Sequence, residues 1–219
     1  MRTRTPPRLR IQSRRPRGRP KAEDLQALEA RLVLVARHAF ALHGYGATSI
    51  NAIAKSARVS KNTLYARFPS KAALFQAIVA GQIASVDEEL PGASTEQAQS
   101  LAARLRAYMD VALRRSLSGE VLAINRLIMS ESYQFPELAE AATARFQVGI
   151  QHVASIIEEC AQRDGIPCRN SVEAAELFLH SLYGWYTFVV IANRVVTDKE
   201  RTSRIDGVIR LFLASRPAW

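Results

Sequence analysis

The strongest restriction on the fold comes from four helical segments that follow one another closely between residues 25 and 78. In the first segment, apolar residues recur at helical spacing from Leu25 to Phe40. The glycines of Gly-Tyr-Gly at 44–46 end this helix, and they do not form a dinucleotide-binding fingerprint, which needs a preceding strand and a third glycine. The chain is therefore expected to leave its first helix in a turn.

Three shorter helices are predicted after this turn. They cover 50–56, a stretch from Ser60 to about Phe68 that Pro69 ends, and a stretch after Ser70. Their predicted N-terminal caps are Thr48 or Ser49, Ser60 and Ser70. Short helices joined by three or four residues are typical of a helix-turn-helix unit.

The helix that begins after Ser60 has two chemically different faces. At about 100° per residue, Leu64 and Phe68 share the face that must pack on the preceding helices. The exposed side groups are Asn62, Thr63 and Ala66, flanked by Lys61 and Tyr65 on one side and by Arg67 on the other. Asparagine pairs with adenine, threonine and alanine contact thymine methyl groups, and lysine and tyrosine suit phosphate oxygens. The pattern predicts a helix that reads the major groove of DNA; the alternative is a helical cap whose polar residues merely face water.

This segment closely resembles the DNA-binding domain of the tetracycline-repressor (TetR) family of bacterial transcriptional regulators. The resemblance is carried by Ile53-Ala54, by the run from Val59 to Lys71 and by Leu74-Phe75, and it extends over residues 27–80. It implies phosphate contacts from Thr48, Tyr65 and Lys71, and base-reading or groove-lining positions at Lys61, Asn62 and Thr63. Ser49, at the start of the second helix, and Arg67 complete the predicted DNA contacts of this domain. Arg58 departs from the family, which usually has glycine in this turn, and a left-handed backbone there would cost roughly 1 kcal/mol.

Positive charge is concentrated at the N-terminal end of the chain. The net charge of +10 divides into +13 for residues 1–80 and −3 for residues 81–219. Residues 1–21 hold eight arginines, one lysine and no acid, and Pro-Arg-Gly-Arg-Pro at 16–20 resembles the core of an AT-hook. The predicted minor-groove contacts are Arg15, Arg17, Arg19 and Lys21. The alternative is a solvated, disordered tail. The two interpretations are compatible if the arm is disordered when free and becomes ordered only on DNA.

The rest of the chain also has helical periodicity without sustained strand alternation. Helix boundaries are predicted by a capping box at Ser94, by Pro136 in a first turn, by Gly165 as a stop and by Asn170 as a cap. The fold class is therefore all-α, with about nine helices. We divide the chain into a basic arm (1–21), a DNA-binding domain (22–80) and a larger helical domain (81–219).

Two functions are expected of the larger helical domain. A cavity for an apolar or aromatic effector resembles the family's pocket, although periodicity alone does not separate pocket residues from packed core. Its candidate residues are Tyr108, Met109, Leu113, Asn125, Ile128, Met129, Phe146, Tyr183 and Tyr186. The last two helices are expected to form a four-helix dimer interface, as the family resemblance implies; the alternative is intramolecular core. Its candidate residues are Phe178, Leu182, Trp185, Val189, Ile205, Val208, Ile209 and Phe212.

Other classes of protein are disfavoured. The two cysteines and four histidines form no metal-ligand cluster, and no catalytic motif is present, so we expect no metal, no cofactor and no enzymatic activity. No apolar stretch is long enough to span a membrane, and no signal peptide is visible, so we expect a cytoplasmic protein. The expectation is a homodimeric repressor that an effector releases from a palindromic operator. The alternatives are an architectural binder of AT-rich DNA and a redox sensor that uses Cys160 and Cys168.

Overall fold

The structure, a computed structural model, describes residues 22–87, 89, 100–166 and 168–215. Within these residues the chain forms nine helices and no strand, which confirms the all-α fold class. In chain order the helices are α1 (Ala22–His43), α2 (Ile50–Ser56), α3 (Lys61–Tyr65), α4 (Lys71–Asp87), α5 (Leu101–Ser116), α6 (Gly119–Glu131), α7 (Pro136–Asp164), α8 (Ser171–Ile191) and α9 (Asp198–Ala214).

Local sequence signals position most of these helices. The Ser49 and Ser60 hydroxyls accept hydrogen bonds from the amides of Ala52 (3.1 Å) and Thr63 (3.0 Å), so serine caps both α2 and α3. Pro136 lies in the first turn of α7, and Gly165 ends that helix in a left-handed conformation, φ 65°. These boundaries agree with the sequence pattern.

Two boundaries differ from the prediction. Helix α3 ends at Tyr65 rather than near Phe68, because the chain tightens into a turn before Pro69. Helix α5 begins at Leu101 and is capped by Ser100, whose hydroxyl accepts a hydrogen bond from the Ala103 amide at 3.3 Å. The predicted capping box at Ser94 lies outside the described residues.

The turn between α2 and α3 contains the expected departure from glycine. Arg58 adopts a left-handed conformation, φ 54°, and its side chain is exposed. The backbone is held there by hydrogen bonds from the Arg58 amide to Lys55 (3.1 Å) and from the Val59 amide to Ala54 (3.0 Å). The turn therefore accommodates arginine at a local cost of about 1 kcal/mol.

Two apolar cores organise the molecule. The first lies beneath α1 to α4 and includes Phe40, Leu64 and Phe75, but it also takes Ile124 from α6 and Leu138 from α7. The second is formed by α5, α7, α8 and α9, with the C-terminal part of α4 against it. Since α4 runs without interruption through position 80, it belongs to both parts of the molecule. Among the described helices, none combines the length and the apolar character that crossing a bilayer requires.

Candidate nucleic-acid interface and interior cavity

Helix α3 exposes the side chains that were predicted to meet DNA. Leu64 is fully buried and fixes the helix from behind, while Lys61, Asn62 and Tyr65 are exposed. The Lys61 ammonium lies 5.6 Å from the centre of the Tyr65 ring, so the two side chains form one patch on the flank of the helix. Thr63 is half-buried, and its hydroxyl shares a 2.7 Å hydrogen bond with the Ser60 hydroxyl. This arrangement presents an amide and two phosphate-seeking groups to solvent.

Two further predicted contacts are engaged within the domain. Arg67 donates to Glu29 of α1 at 3.3 Å, and both side chains are partly exposed. The Ser49 hydroxyl caps α2, so it lies at the N-terminus of that helix. Arg15, Arg17, Arg19 and Lys21 lie outside the described residues.

The Thr48 side chain bonds within the protein. This side chain is buried. Its hydroxyl lies within hydrogen-bonding distance of two carbonyl oxygens, those of Gly44 (2.7 Å) and Ala39 (3.2 Å). A hydroxyl has one proton to donate, and phosphate oxygens only accept. The Thr48 hydroxyl therefore holds the turn between α1 and α2 closed, and a phosphate contact from Thr48 stays a prediction.

Lys71 bonds to the same turn. Its ammonium donates to the carbonyl oxygens of Tyr45 (2.7 Å), Thr48 (3.0 Å) and Gly46 (3.4 Å), and it lies 4.3 Å from the centre of the Tyr45 ring. Desolvation by burial lowers the pKa of Lys71, against the opposite effect of two nearby carboxylates. All three of its donors have partners inside the protein, so its placement favours a role in ordering the turn.

A cluster from the larger domain holds this turn from the other side. We call Glu131, Phe135 and Glu137 the turn-binding cluster. The Glu131 carboxylate accepts hydrogen bonds from the amides of Tyr45 (3.2 Å) and Gly46 (2.9 Å), and the Tyr45 hydroxyl donates to Glu137 at 2.9 Å. Burial, followed by this hydrogen bond, raises the pKa of Tyr45.

Phe135 fixes how closely the two parts of the chain approach. Its ring centre lies 5.2 Å from that of Tyr45, and a Cβ added at Gly46 would lie 3.1 Å from the Phe135 ring. Glycine at 46 therefore permits the contact. The segment 130–138 resembles one branch of the TetR family, but sequence reasoning missed its contact with the turn, because nothing in the local pattern identifies a partner about 85 residues away.

A cavity of about 160 Å³ lies in the larger domain between α4, α5, α6, α7 and α8. Six of the nine predicted pocket residues line it: Tyr108, Met109, Leu113, Phe146, Tyr183 and Tyr186. Gln82 and Val86 add a wall from α4, the helix that also carries Phe75 in the first core. The same helix therefore contacts both the cavity and the DNA-binding domain.

Three predicted pocket residues lie elsewhere. Asn125 is buried behind the wall, where it donates to the Ser116 carbonyl at 3.2 Å and accepts from Arg145 at 2.9 Å. Ile128 packs in the first core, and Met129 packs against the second. Helical periodicity showed that these residues face the interior, but it could not show whether they line the cavity or pack in one of the two cores.

Sequence reasoning also missed Arg145, a charged residue in the cavity wall. Its Nη1 atom donates to the side-chain oxygens of Gln82 and of Asn125. Desolvation by burial lowers the pKa of Arg145. The available signal was its helical spacing from Leu138 and Ala141, two of the buried residues of α7.

The predicted dimer residues belong mainly to the interior of a single chain. Phe178, Leu182, Val189, Ile205 and Ile209 are buried, and Trp185, Val208 and Phe212 are partly buried against the second core. The buried face of α8 therefore packs within its own chain, and dimer contacts from the partly buried Trp185, Val208 and Phe212 stay predictions. The exposed apolar residues of the last two helices instead include Leu177, Phe188, Ile191 and Leu211.

The cysteines and the acidic and histidine side chains offer little chemistry. Cys160 is a buried free thiol 3.7 Å from Nη1 of Arg104, and Cys168 is a partly buried free thiol. Within the described ranges, no group of three histidine, cysteine or acidic side chains is arranged to hold a metal ion.

An exposed recognition helix joined through α4 to a helical domain defines a helix-turn-helix transcriptional regulator. Residues 32–78 match the family described as bacterial regulatory proteins, tetR family, and residues 99–215 match the C-terminal domain of AefR-like transcriptional repressors. The chain belongs to the tetR family of bacterial regulatory proteins, whose members are regulators of transcription rather than enzymes.

Individual relatives agree over nearly the whole chain. The HTH-type transcriptional regulator UidR of Escherichia coli K12 is 27% identical over 200 residues, 87% of this chain and 93% of that protein. The solved structure of a flavonoid-responsive regulator, FrrA, is 30% identical with a TM-score of 0.67, covering 87% of this chain and 97% of the other. Salmonella enterica GusR is 25% identical with a TM-score of 0.62, covering 86% and 94%.

Proposed function

We propose that the protein is a homodimeric repressor that binds a palindromic operator and is released from it by a small-molecule effector in the cavity. The main support for this proposal is that α4 contributes both to the core of the DNA-binding domain and to the cavity wall. Its N-terminal half supplies Leu74 and Phe75 to the core of the DNA-binding domain, and its C-terminal half supplies Gln82 and Val86 to the cavity wall. A ligand that moves this wall also moves the recognition helices.

The DNA-binding step rests on the exposed side chains of α3. Asn62 is the candidate for reading a base edge, and Lys61 and Tyr65 are candidates for phosphate contacts. Ser49 caps α2, and Lys71 is the first residue of α4. The arginines of the N-terminal arm would add minor-groove contacts beside the operator.

The dimer rests on an apolar stripe along the outer face of α8. Leu177, Ser181, Gly184, Phe188 and Ile191 follow one another at spacings of four and three residues. Phe188 is 77% exposed and Ile191 72% exposed, while a Cβ added at Gly184 would meet no atom within 4 Å. Small and apolar residues in one stripe suit a close approach of two helices, and Leu211 of α9 extends the surface.

The effector step is a population shift between two arrangements of α4. A ligand that favours the released state by about 5.5 kcal/mol converts a 1:99 mixture into 99:1. The name of FrrA describes that relative as flavonoid-responsive, which supports an organic effector for this chain. We further propose that the protein acts in the bacterial cytoplasm and lies on the nucleoid when it is bound to DNA.

Selection of bound fragments from random DNA by the purified full-length protein tests the proposal. Two inverted half-sites, centred about one helical turn (roughly 34–36 Å) or a multiple of it apart, are the expected result for a symmetric pair of recognition helices. A-T-rich fragments without a repeated, inverted motif would instead favour an architectural binder.

Treatment of the complex with peroxide or a thiol-blocking reagent provides a second comparison, because loss of DNA binding would favour the redox alternative.

A further inference from the structure

Arg145 differs from the other partly or fully buried arginines of the described chain in having no carboxylate partner. Six arginines in the described part of the chain are partly or fully buried, and five of them form an ion pair with a carboxylate. These pairs are Arg37–Glu120, Arg67–Glu29, Arg104–Glu159, Arg115–Glu89 and Arg201–Asp110. Arg145 has no carboxylate partner among the described residues, and its two hydrogen bonds go to neutral amide oxygens.

The missing charge is not supplied by the neighbouring phenol of Tyr186. Tyr183 and Tyr186 are the ionisable groups whose electrostatic effect is felt at Arg145. Burial raises the pKa of Tyr186 to about 12, so this phenol is neutral near pH 7. A guanidinium remains protonated in proteins, and an uncompensated buried charge is costly to a fold.

The hydrogen bonds of Arg145 leave one edge of the guanidinium available. Both bonds start from Nη1, and neither Nε nor Nη2 donates to a described residue. An arginine edge of this kind matches the two oxygens of a carboxylate. Arg115 also lines the cavity, but Glu89 already neutralises its charge.

The cavity that Arg145 lines suits an aromatic ring. The cavity is lined by the rings of Tyr108, Phe146 and Tyr183, and the last two have centres 5.7 Å apart. Its volume of about 160 Å³ is close to that of the engineered cavity of roughly 150 Å³ that binds benzene. The volume of the cavity therefore matches about one aromatic ring, and Arg145 lies in its lining.

We propose that Arg145 binds the carboxylate of an effector whose apolar part is about one aromatic ring in size. This inference rests on the proposed effector function of the cavity. The ligand compensates the buried guanidinium, and its ring replaces solvent among the aromatic walls. Arg145 also donates a hydrogen bond to Gln82 of α4. A carboxylate bound to Arg145 is therefore linked through this hydrogen bond to the helix that enters the DNA-binding domain.

Binding of matched acids and amides to the full-length protein tests this site. The probes are benzoate, phenylacetate and 3-phenylpropanoate, each compared with its primary amide by calorimetry at constant pH. The wild-type protein is expected to prefer each acid that it binds by about tenfold or more, as a hydrogen-bonded charge implies. Equal affinity for acids and amides, or no binding of any acid at millimolar concentration, would overturn the proposal.

Variants separate an anion site from a structural arginine. Arg145→Gln keeps donors for Gln82 and Asn125 but removes the charge, so the acid preference should disappear while the melting temperature stays the same or rises. Arg145→Lys should retain part of the preference, and Arg126→Gln, an exposed control outside the cavity lining, should retain it fully. A preference that survives in Arg145→Gln would overturn the proposal. If Arg145→Gln does not fold, the comparison of acids with amides in the wild-type protein still tests whether the cavity prefers an anion.

Operator affinity distinguishes this inference from the proposed function. If a bound acid releases the selected operator from the wild-type protein but not from Arg145→Gln, both are supported. If an amide binds equally well and releases the operator, the effector function stands and the Arg145 site is wrong. If an acid binds through Arg145 without changing operator affinity, the anion site stands and release through this cavity is wrong.

Discussion

Glu131 accepts a hydrogen bond from the amide of Gly46 at 2.9 Å, across the boundary between the two parts of the protein. The other oxygen of the same carboxylate accepts from the Tyr45 amide at 3.2 Å. The last residue of α6 thus bonds to the turn that leads from α1 into α2. Since Val121 of α6 lines the cavity, a displacement of α6 reaches the DNA-binding domain through this carboxylate as well as through α4.

Replacing Glu131 with alanine is expected to weaken this connection. Two backbone amides lose a charged acceptor, which should lower the free energy of unfolding by about 1–3 kcal/mol. Urea denaturation measures the loss, and Glu140→Ala on the exposed side of α7 is the matched control. Equal stability of the two variants would show that the Glu131 bonds contribute nothing measurable.

Lys71→Met is expected to act through the fold rather than through DNA phosphates. The substitution keeps the apolar stem but removes the donors to the Tyr45, Gly46 and Thr48 carbonyls, so the free energy of unfolding should fall by about 1–3 kcal/mol. The slope of log K against log salt concentration for operator binding should stay unchanged. Lys61→Met, the exposed control on α3, should reduce that slope by about 1. A shallower slope for Lys71→Met would restore Lys71 as a phosphate contact.

Asn62→Ala should change which sequences are bound rather than how strongly all DNA is bound. A side chain that reads a base edge contributes about 1–3 kcal/mol of discrimination at one base pair. Repeating the fragment selection with this variant should therefore relax one position in each half-site and leave the spacing unchanged. A uniform loss of affinity, with every position still specified, would assign Asn62 to the backbone instead.

Local signals made the DNA-binding domain predictable from the sequence. Ser60 caps α3 through its own side chain, Leu64 lies one turn further along, and the periodicity fixes which side chains point outward. All of these interactions lie within a few residues of one another. The partners of Thr48 were not predictable, because its hydroxyl bonds to carbonyl groups that only the folded turn brings close.

Long-range relationships in the larger domain were not predictable in the same way. Helix α8 has apolar residues on both sides, so periodicity could not decide whether Phe178 or Phe188 faces the interior. The structure buries Phe178 and leaves Phe188 77% exposed. Arg145 was missed because a cation in the interior contradicts the usual preference for apolar groups in a core.

Phe188→Asp is expected to produce monomers. A charge in the apolar stripe would be desolvated against the partner helix, whereas in the isolated chain the residue is solvent-exposed and the fold should tolerate it. Sedimentation velocity measures the oligomeric state, and Val195→Asp, at a position 91% exposed in the loop after α8, is the control. An unchanged dimer in Phe188→Asp would place the interface on another surface.

Glu120 should make stability depend on pH in the acid range. A hydrogen bond with His38 Nδ1 at 2.9 Å, together with one from Arg37 Nε at 2.7 Å, holds the pKa of Glu120 below its ordinary value of 4.5. The unfolded chain therefore binds a proton at a higher pH than the folded chain does. The stabilisation is complete above the unfolded pKa and is lost as the pH falls through the lower, folded pKa.

Glu120→Gln should remove this acid-dependent contribution. The variant is expected to be less stable than the wild-type protein near neutral pH, with the difference shrinking as the pH falls below about 4. Urea unfolding at a series of pH values between about 3 and 6 measures the change, with Glu140→Gln as the exposed control on α7. A stability difference that is constant across this range would mean that the contacts from His38 and Arg37 do not favour the ionised carboxylate in the folded state.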